Sequence, residues 1–423
     1  MGLSMGERKA VTKQMARRYA RATKAQKTSM LDELCELTGW TRRHARRALT
    51  AALVPPEPAS APVRTRVYGE ETLVPLVKIW ATLGGPSGKR LAPFMPEIVE
   101  VLERCAELEV SPQTRRKLLA ISAATIDRML AGERARLRVK GRSGTAPGSM
   151  LRRQIPIRTF ADWDDARPGF LEVDLVAHDG GSPYGQFCQS LDVVCVATGW
   201  TEVRALANKA QRWCFEAMRD LERTLPFPIL GIDSDNGGEF INHQLFRWCT
   251  EHEITFTRSR PYRKNDNCFV EQKNWPVVRQ QVGYLRYDTT AELCALEEIW
   301  ELVRLWMNFF QPQMKLVAKQ RTGARVRKRY DRAQTPYRRV LASDQVASAA
   351  KEALTRTYLG LNPVELTREI GALQHRLIEI NRAKPPRKEV GPAPDHPFRR
   401  TFSWPEASRT FPVRQPVQPS RTS

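Results

Sequence analysis

The sequence predicts a multidomain protein in which helical N-terminal segments precede an α/β core with a mixed sheet, followed by a basic C-terminal region. Helix start signals and helical apolar spacing dominate residues 1–133. Residues 170–256 instead alternate short apolar strands, first with one another and then with helices, an order that favours a mixed sheet flanked by helices. A length of 423 residues leaves room for two to four domains.

The charge balance indicates a polyanionic partner. The chain carries a net charge of +22 and has a pI near 10.0, so its surface must be broadly electropositive, and nucleic acid is the leading candidate. No apolar run approaches the roughly 20 residues that span a bilayer, and the N-terminus lacks the apolar stretch of a secretory signal. Eight scattered cysteines without a Cys-x-x-Cys pair indicate reduced thiols. We therefore expect a cytoplasmic protein without a membrane partner.

Residues 1–54 predict a helix-turn-helix DNA-binding domain. Residues 1–50 hold twelve Lys or Arg against four Asp or Glu. A helical pattern runs over residues 29–38, Gly39 is a plausible C-terminal cap, and Thr41 is placed to cap a second helix. An ordinary helical hairpin with a solvated basic face is the alternative. The DNA-contacting candidates lie on the second helix: Arg42, Arg43, Arg46 and Arg47.

A second helical block is predicted between two linkers. The Pro-rich residues 55–68 form the first linker, and residues 69–133 form the helical block. Pro112 at a first helical position and Ser122 before an apolar-periodic run predict a second helix-turn-helix DNA-binding domain. The basic, Gly-containing residues 134–154 form a second linker that could follow a phosphate backbone or act as a solvated tether.

Residues 155–312 are predicted to form the α/β core. The strand predictions are 170–176, 186–191, 193–198, 201–205, 229–232 and 254–256. The helix predictions are 208–225, 242–252, 268–282 and 291–310. Short connections between the first strands imply antiparallel hairpins.

Three carboxylates in this region are placed where metal chemistry could use them. Asp174 lies in an apolar strand pattern, Asp235 ends an apolar run at a Gly-rich turn, and Glu271 lies on a helical stretch. Mg²⁺ prefers oxygen ligands and needs few protein groups, so two or three carboxylates plus a substrate phosphate suffice. Asp233 lies two residues before Asp235, on the same side of an extended chain, so the sequence leaves its participation open. Glu172, Asp192 and Glu239 are expected to be solvated or turn-forming.

The order and spacing of these acids resemble the catalytic core of DDE transposases and retroviral-type integrases. The resemblance rests on Ser-Asp-Asn-Gly at 234–237, on the 35 residues between Asp235 and Glu271, and on Asn267-x₃-Glu271. It is clearest over residues 155–310. It implies a ribonuclease H-like fold, catalysis and metal binding by the Asp174, Asp235 and Glu271 triad, and a site for two Mg²⁺ or Mn²⁺ ions.

The resemblance also implies roles for neighbouring residues. Asn236, Asn267 and Asn274 are expected to support the triad, the last two by sharing the face of the helix that carries Glu271. In the integrase family basic residues follow the glutamate and contact DNA, which here points to Lys273 and Arg279, although they miss the one-turn and two-turn positions. The preceding loop adds the DNA-contacting candidates Arg260, Arg263 and Lys264.

The C-terminal part is predicted to be basic and partly unstructured. Residues 313–383 form a basic C-terminal region, in which 315–339 hold ten Lys or Arg against the single Asp331, followed by a helical segment. Residues 384–423 contain nine prolines and eight basic residues, and are expected to be a disordered tail.

From the resemblance we expect a bacterial insertion-sequence transposase. By the resemblance it cleaves DNA at element ends and transfers the freed strands to target DNA, acts as a homo-oligomer in a synaptic complex, and is nucleoid-associated. Two alternatives remain open: a ribonuclease H-like nuclease without strand transfer, and a transposase-derived DNA-binding regulator. His178, four residues after Asp174, could aid proton transfer, but a structural role is the stronger expectation.

Overall fold

The structure is a computed structural model that divides the chain into two compact units, Met1–Val67 and Tyr68–Ser423. It describes residues 3–54, 67–136, 167–234, 239–240, 242–258 and 268–385. The linker predicted at 55–68, that at 134–154 and the tail at 384–423 lie largely outside the described residues. Each unit is considered separately.

Three short helices form the first unit: α1 (Met5–Arg21), α2 (Lys24–Thr38) and α3 (Arg42–Ala51). Their start points follow from capping, because the side chains of Ser4, Thr23 and Thr41 each accept a backbone N–H of the first turn. Gly39 ends α2 at φ 70°, a left-handed conformation that glycine adopts without strain. A small apolar core joins the helices, made of Met15, Ala16, Leu31, Leu34, Ala45 and Leu49.

The second unit begins with five helices. They are α4 (Glu70–Thr82), α5 (Gly88–Arg104), α6 (Pro112–Ala120), α7 (Ala123–Met129) and α8 (Ala131–Arg136). The expected helix starts are present: Pro112 occupies the first turn of α6, and the Ser122 hydroxyl caps α7 by accepting the Thr125 N–H.

A five-stranded mixed sheet lies at the centre of this unit. Its strands are β1 (Phe170–Ala177), β2 (Gln189–Cys195), β3 (Thr201–Leu206), β4 (Gly231–Ser234) and β5 (Thr255–Arg258). The order across the sheet is β3-β2-β1-β4-β5. The β1–β2 and β2–β3 pairs are antiparallel, whereas β1–β4 and β4–β5 are parallel. The mixed sheet predicted from the order of strands and helices is thus present.

Helices and a hairpin complete the unit. The helices after β3 and β4 are α9 (Gln211–Thr224) and α10 (His243–Glu251). A helical stretch then runs as α11 (Cys268–Lys273), a π-helical turn Asn274–Arg279 and α12 (Gln280–Val282), followed by α13 (Thr290–Phe310). The C-terminal elements are β6 (Leu316–Thr322), β7 (Arg325–Tyr330), α14 (Pro336–Ala342), α15 (Ser348–Gly360) and α16 (Pro363–Arg382).

One apolar core runs through the sheet, the α4–α7 helices and α13–α16. Trp306 on α13 shows the connection, because its indole N–H donates to the Thr82 carbonyl at the end of α4, 2.9 Å away. The Thr367 hydroxyl of α16 reaches the same carbonyl at 3.2 Å. Residues 69–133 therefore share one apolar core with the sheet and the C-terminal helices.

Two strand expectations need correction. The predicted strands 186–191 and 193–198 are one strand, β2, which continues through Asp192 because that side chain is buried in the sheet and does not mark a turn. The region 315–339, predicted only as a basic stretch, contains the β6–β7 hairpin. The helical segment expected after it is present as α14–α16.

Candidate active site

Asp174 lies on the central strand β1 and is partly exposed. The Asn274 side-chain N–H donates to Asp174 Oδ2 at 2.6 Å, and the Leu175 backbone N–H donates to Oδ1 at 2.9 Å. Asn274 begins the π-helical turn that continues α11. The Asp174 carboxylate is thus bound by its own strand and by the helical stretch that carries Glu271. The supporting role of Asn274 stays a prediction, and its hydrogen bond to Asp174 is consistent with it.

Glu271 lies on α11 and its side chain is exposed. It is three residues before Asn274, a spacing that puts two side chains on the same helix face about one turn apart. The helix packs on β1 and β2. Because Asn274 reaches Asp174, the helix face that carries Glu271 is turned toward the side of the sheet where Asp174 lies.

Glu172 positions this helix, a role that the sequence analysis missed. Its side chain is fully buried, and Oε2 accepts the backbone N–H groups of Phe269 at 2.7 Å and Val270 at 3.1 Å. These amides belong to the first turn of α11, where helical N–H groups lack partners within the helix and a negative charge is stabilised by the helix dipole. The expectation that Glu172 is solvated was wrong, and its period-two spacing from Asp174 was the signal for a shared face.

The second acidic segment follows β4. Ser234, the last residue of β4, pairs with Val173, and Asp233 pairs with Glu172. Asp233 is buried, and the Thr257 hydroxyl of β5 donates to its Oδ1 at 2.6 Å. Asp235, which follows Ser234, lies outside the described residues, as does Asn236. The structure therefore accounts for Asp233 as a residue buried between strands.

Asp192 is a further buried acid beside Asp174. The two residues are directly paired across β1 and β2, and Asp192 is fully buried. Burial raises the pKa of Asp192 well above its ordinary value; the Asp174 charge adds to the rise and the nearby Lys273 ammonium opposes it. Burial in turn lowers the pKa of Lys273 to about 7. The expectation that Asp192 forms a turn was wrong, since an apolar strand continues on both sides of it.

The two basic residues that follow Glu271 contact the protein interior. Lys273 is half-buried near Asp192, as its pKa shift shows. Arg279 donates from Nη2 to the Ala177 carbonyl at the end of β1, 2.8 Å away, and its guanidinium stacks on Tyr284 at 4.9 Å from the ring centre. Burial lowers the pKa of Arg279. Their assignment to DNA contact stays a prediction, with these internal contacts as competing roles.

His178 has a structural environment. Its ring is fully buried, Nε2 lies 2.8 Å from the Ser190 hydroxyl, and burial lowers its pKa to about 3. The imidazole is therefore neutral at ordinary pH and cannot carry a proton to solvent, which agrees with the structural role favoured by the sequence.

The remaining predicted residues fall into two groups. On α3 of the first unit the four predicted arginines are exposed, and Arg42 also pairs with Asp32 of α2: Arg42, Arg43, Arg46 and Arg47. The loop before α11 lies outside the described residues, so no contact can be assigned to its four candidates: Arg260, Arg263, Lys264 and Asn267.

The described donors suit a hard divalent cation. Asp174 and Glu271 offer carboxylate oxygens, the ligand type that Mg²⁺ and Mn²⁺ prefer. Among the described residues, which do not include Asp235, no three His, Cys, Asp or Glu side chains lie close enough together to hold a metal ion.

Comparison with known proteins places this site in a class. Residues 164–264 match the integrase core domain family, rve, a segment that contains Asp174 and Asp235. The chain belongs to the superfamily of DDE transposases and retroviral-type integrases. The chain is also similar to the uncharacterized protein y4rM of Sinorhizobium fredii (strain NBRC 101917 / NGR234), which is 40% identical over 328 residues and aligned over 78% of this chain and 93% of y4rM.

Two solved structures are also similar in part. The catalytic core domain of BIV integrase is 16% identical with a TM-score of 0.26, and the match covers 45% of this chain and 98% of that one. A simian T-cell lymphotropic virus intasome, in complex with PP2A regulatory subunit B56 gamma, is 14% identical with a TM-score of 0.25, covering 39% and 54%. Among the described helices of this chain, none is long and apolar enough to cross a bilayer.

Proposed function

We propose that this chain is a transposase that cleaves DNA at the ends of a mobile element and joins the freed 3′ ends to target DNA. The observation that carries the proposal is the register of the two central strands. Val173, the residue before Asp174, pairs with Ser234, the residue before Asp235 in the sequence. The described parts of these neighbouring parallel strands are therefore level with each other at the residue before each aspartate.

The helix contacts support the third member of the triad. Asn274 binds Asp174, and Glu172 binds the first turn of α11, so two separate contacts fix the helix that carries Glu271 against β1. A carboxylate on a helix that is held by one buried and one partly buried side chain is the kind of arrangement that precise positioning requires.

The proposed cofactor is one or two Mg²⁺ or Mn²⁺ ions held by Asp174, Asp235 and Glu271. When bound, such ions stabilise negative charge on a reacting phosphate and activate oxygen nucleophiles. The protein side chains supply the alignment: Asn274 orients the Asp174 carboxylate, and Glu172 sets the position of α11. No covalent intermediate between protein and DNA is required.

We assign DNA recognition in part to the first unit. The α2–α3 pair has the form of a helix-turn-helix, and the four exposed arginines of α3 suit a helix that lies in a major groove. The second helical block, the loop before α11 and the basic C-terminal region are further proposed contacts. Because two element ends must be joined together, we expect a homo-oligomer in the active complex.

The test uses the full chain with duplex oligonucleotides that carry the inverted repeats flanking its gene, Mg²⁺ or Mn²⁺, and a target plasmid. We expect joined products from the wild type. Three variants should reduce joining by on the order of 10²–10³-fold or more, the scale for losing a group that stabilises transition-state charge: Asp174→Asn, Asp235→Asn and Glu271→Gln. Asp344→Asn, at an exposed acid on the loop after α14, is the matched control and should join normally.

Each other outcome has a distinct meaning. Cleavage without joining in the wild type would favour a nuclease. DNA binding without cleavage would favour a regulator. Full joining by a triad variant that retains wild-type circular dichroism would refute the assigned catalytic residues.

A further inference from the structure

The β6–β7 hairpin is an exposed basic ribbon. Every residue of both strands is exposed. Residues 316–330 contain six Lys or Arg and no Asp or Glu. A two-residue turn joins the strands, and Gly323 at φ 59° supplies the positive φ that the first position of a tight hairpin turn needs. The pairing continues over six registered residue pairs, so the ribbon is about 20 Å long.

Burial does not stabilise the strand geometry of the ribbon, because both of its strands are exposed throughout. A lone two-stranded hairpin is marginally stable in water, because neither face is covered. The pair Lys319 and Lys328 adds a cost, since these like charges stand directly opposite each other on one face. A ribbon of this kind gains stability when an anion lies against it.

The base of the ribbon is firmly attached to the unit. The Lys315 N–H donates to the Asp331 carboxylate at 2.7 Å, and the Asp331 N–H donates to the Lys315 carbonyl at 2.9 Å. Arg339 forms an ion pair with the same carboxylate at 2.7 Å, and Lys315 Nζ donates to the Ala197 carbonyl at 2.7 Å. The strands thus project from a fixed point beside the loop between β2 and β3.

The two faces of the ribbon differ in chemistry. Three arginines share one face, where Thr322, Gln320 and Ala318 lie opposite them: Arg325, Arg327 and Arg329. The other face carries the two lysines together with Arg321, Val326 and Tyr330. Arginine and glutamine are the side chains that form paired hydrogen bonds with guanine and adenine edges.

We propose that the β6–β7 ribbon binds in the major groove of duplex DNA with its arginine face toward the base edges. The inference rests on the proposed function, because it assumes a DNA substrate. A major groove about 12 Å wide admits a two-stranded ribbon without deformation of the DNA, whereas a minor groove about 6 Å wide must first be widened. The ribbon rise of about 3.4 Å per residue also matches the 3.4 Å spacing of phosphates along one DNA strand. The lysine face then lies toward the phosphates that border the groove.

The charge pattern selects DNA over an acidic protein. The hairpin as a whole carries three positive charges on each face, which suits a partner that surrounds the ribbon with negative charge on two walls. A groove between two phosphate backbones has this form. A flat acidic protein surface would neutralise one face and leave the other unpaired.

The test compares duplex binding by three forms of the full chain with that of the wild type. In the first, residues 316–330 are replaced by Asn-Gly, which closes a tight turn between Lys315 and Asp331, already hydrogen-bonded to each other. The second is Arg325→Ala/Arg327→Ala/Arg329→Ala. The control removes the same charge from exposed helical positions: Arg219→Ala/Arg356→Ala/Arg382→Ala.

Fluorescence anisotropy with labelled duplex over a series of salt concentrations measures the effect. Because the proposal places the three arginines on base edges, the arginine variant should weaken duplex binding by on the order of 10²-fold with little change in the salt slope. Each lost phosphate contact lowers the slope by about 0.9, so a fall of about 3 would place these arginines on phosphates and refute the proposed orientation. The ribbon deletion should weaken duplex binding at least as much, and the control should change it much less.

Three results would overturn the proposal: unchanged duplex affinity in the deletion, equal losses in the arginine variant and the control, or an equal loss of single-strand and duplex binding. Any of these can occur while joining still depends on Asp174, in which case the transposase assignment stands and only the ribbon assignment fails. If the wild type binds no DNA at all, the proposed function itself fails.

Discussion

Removing the Glu172 carboxylate should loosen the first turn of α11, the helix that carries Glu271. In Glu172→Ala two buried backbone N–H groups, those of Phe269 and Val270, lose their acceptor. Hydrogen bonds to a charged group contribute about 1.5–3 kcal/mol each, so the loss is about 3 kcal/mol or more. Glu172→Gln keeps an acceptor oxygen and loses only the charge, which should cost about 1–2 kcal/mol.

Hydrogen exchange measured by mass spectrometry reports this change locally. Because 1.4 kcal/mol corresponds to a factor of ten, exchange of the peptide spanning 268–273 should accelerate by about 10²-fold in the alanine variant and about tenfold in the glutamine variant. Glu202→Gln is the matched control. Glu202 is equally buried in the sheet, but it accepts the Trp200 indole N–H at 2.8 Å and pairs with Arg204 at 3.2 Å.

Two results would refute the reasoning. Unchanged exchange over 268–273 in Glu172→Ala would mean that the carboxylate does not hold the helix. The same acceleration in Glu202→Gln would mean that the effect is a general loss of sheet stability. Joining activity should fall with exchange protection in the Glu172 variants, because Glu271 lies on the released turn.

Two further perturbations follow from the packing. Burial lowers the pKa of His178 to about 3 in the folded chain, compared with about 6.5 in the unfolded chain. Protonation therefore favours the unfolded chain, and the free energy of unfolding should fall as pH drops from about 6.5 toward 3, by up to about 1.4 kcal/mol per pH unit. Urea unfolding of His178→Gln should show a flatter pH dependence there, and identical profiles would contradict this. Gly84→Ala should lower the melting temperature, because Gly84 has φ 66° and an added Cβ would lie 2.7 Å from the Trp306 indole. Gly371→Ala, within α16 and with no described atom within 4 Å of its added Cβ, should raise stability by about 0.5–1 kcal/mol, and a Gly84 variant as stable as this one would be evidence against the close contact.

The sequence was sufficient for the strands and helices whose signals are local. Thr41 and Ser122 cap helices where polar residues precede apolar periodicity, and β1 follows from its apolar, β-branched pattern. Asp174 and Glu271 could be named as candidates because their order along the chain resembles that of a known family, and their catalytic role stays a prediction. The convergence with Asp235 stays a prediction.

Other parts depended on contacts between distant residues. Glu172 and Asp192 were misjudged because charged residues are usually exposed. Their burial depends on the α11 amides and on Lys273, about 100 and 80 positions away in sequence. The β6–β7 hairpin was missed because its charge density suggests a solvated coil, although Thr322 and Arg325 flank a glycine turn signal. Sequence patterns reflect residues that are close along the chain and carry little information about pairings between distant residues.

The hydrogen bond from Thr367 to the Thr82 carbonyl spans 285 positions, and it has a consequence for biosynthesis. At about 5–20 residues per second, a ribosome needs roughly 15–60 s between making one end of this contact and the other. During that time the apolar sides of α4 and α5 lack the C-terminal helices that later cover them. The nascent chain is therefore prone to aggregation until its last helices emerge from the ribosome. A chain truncated before α16 would expose the same apolar surfaces and be degraded by proteases.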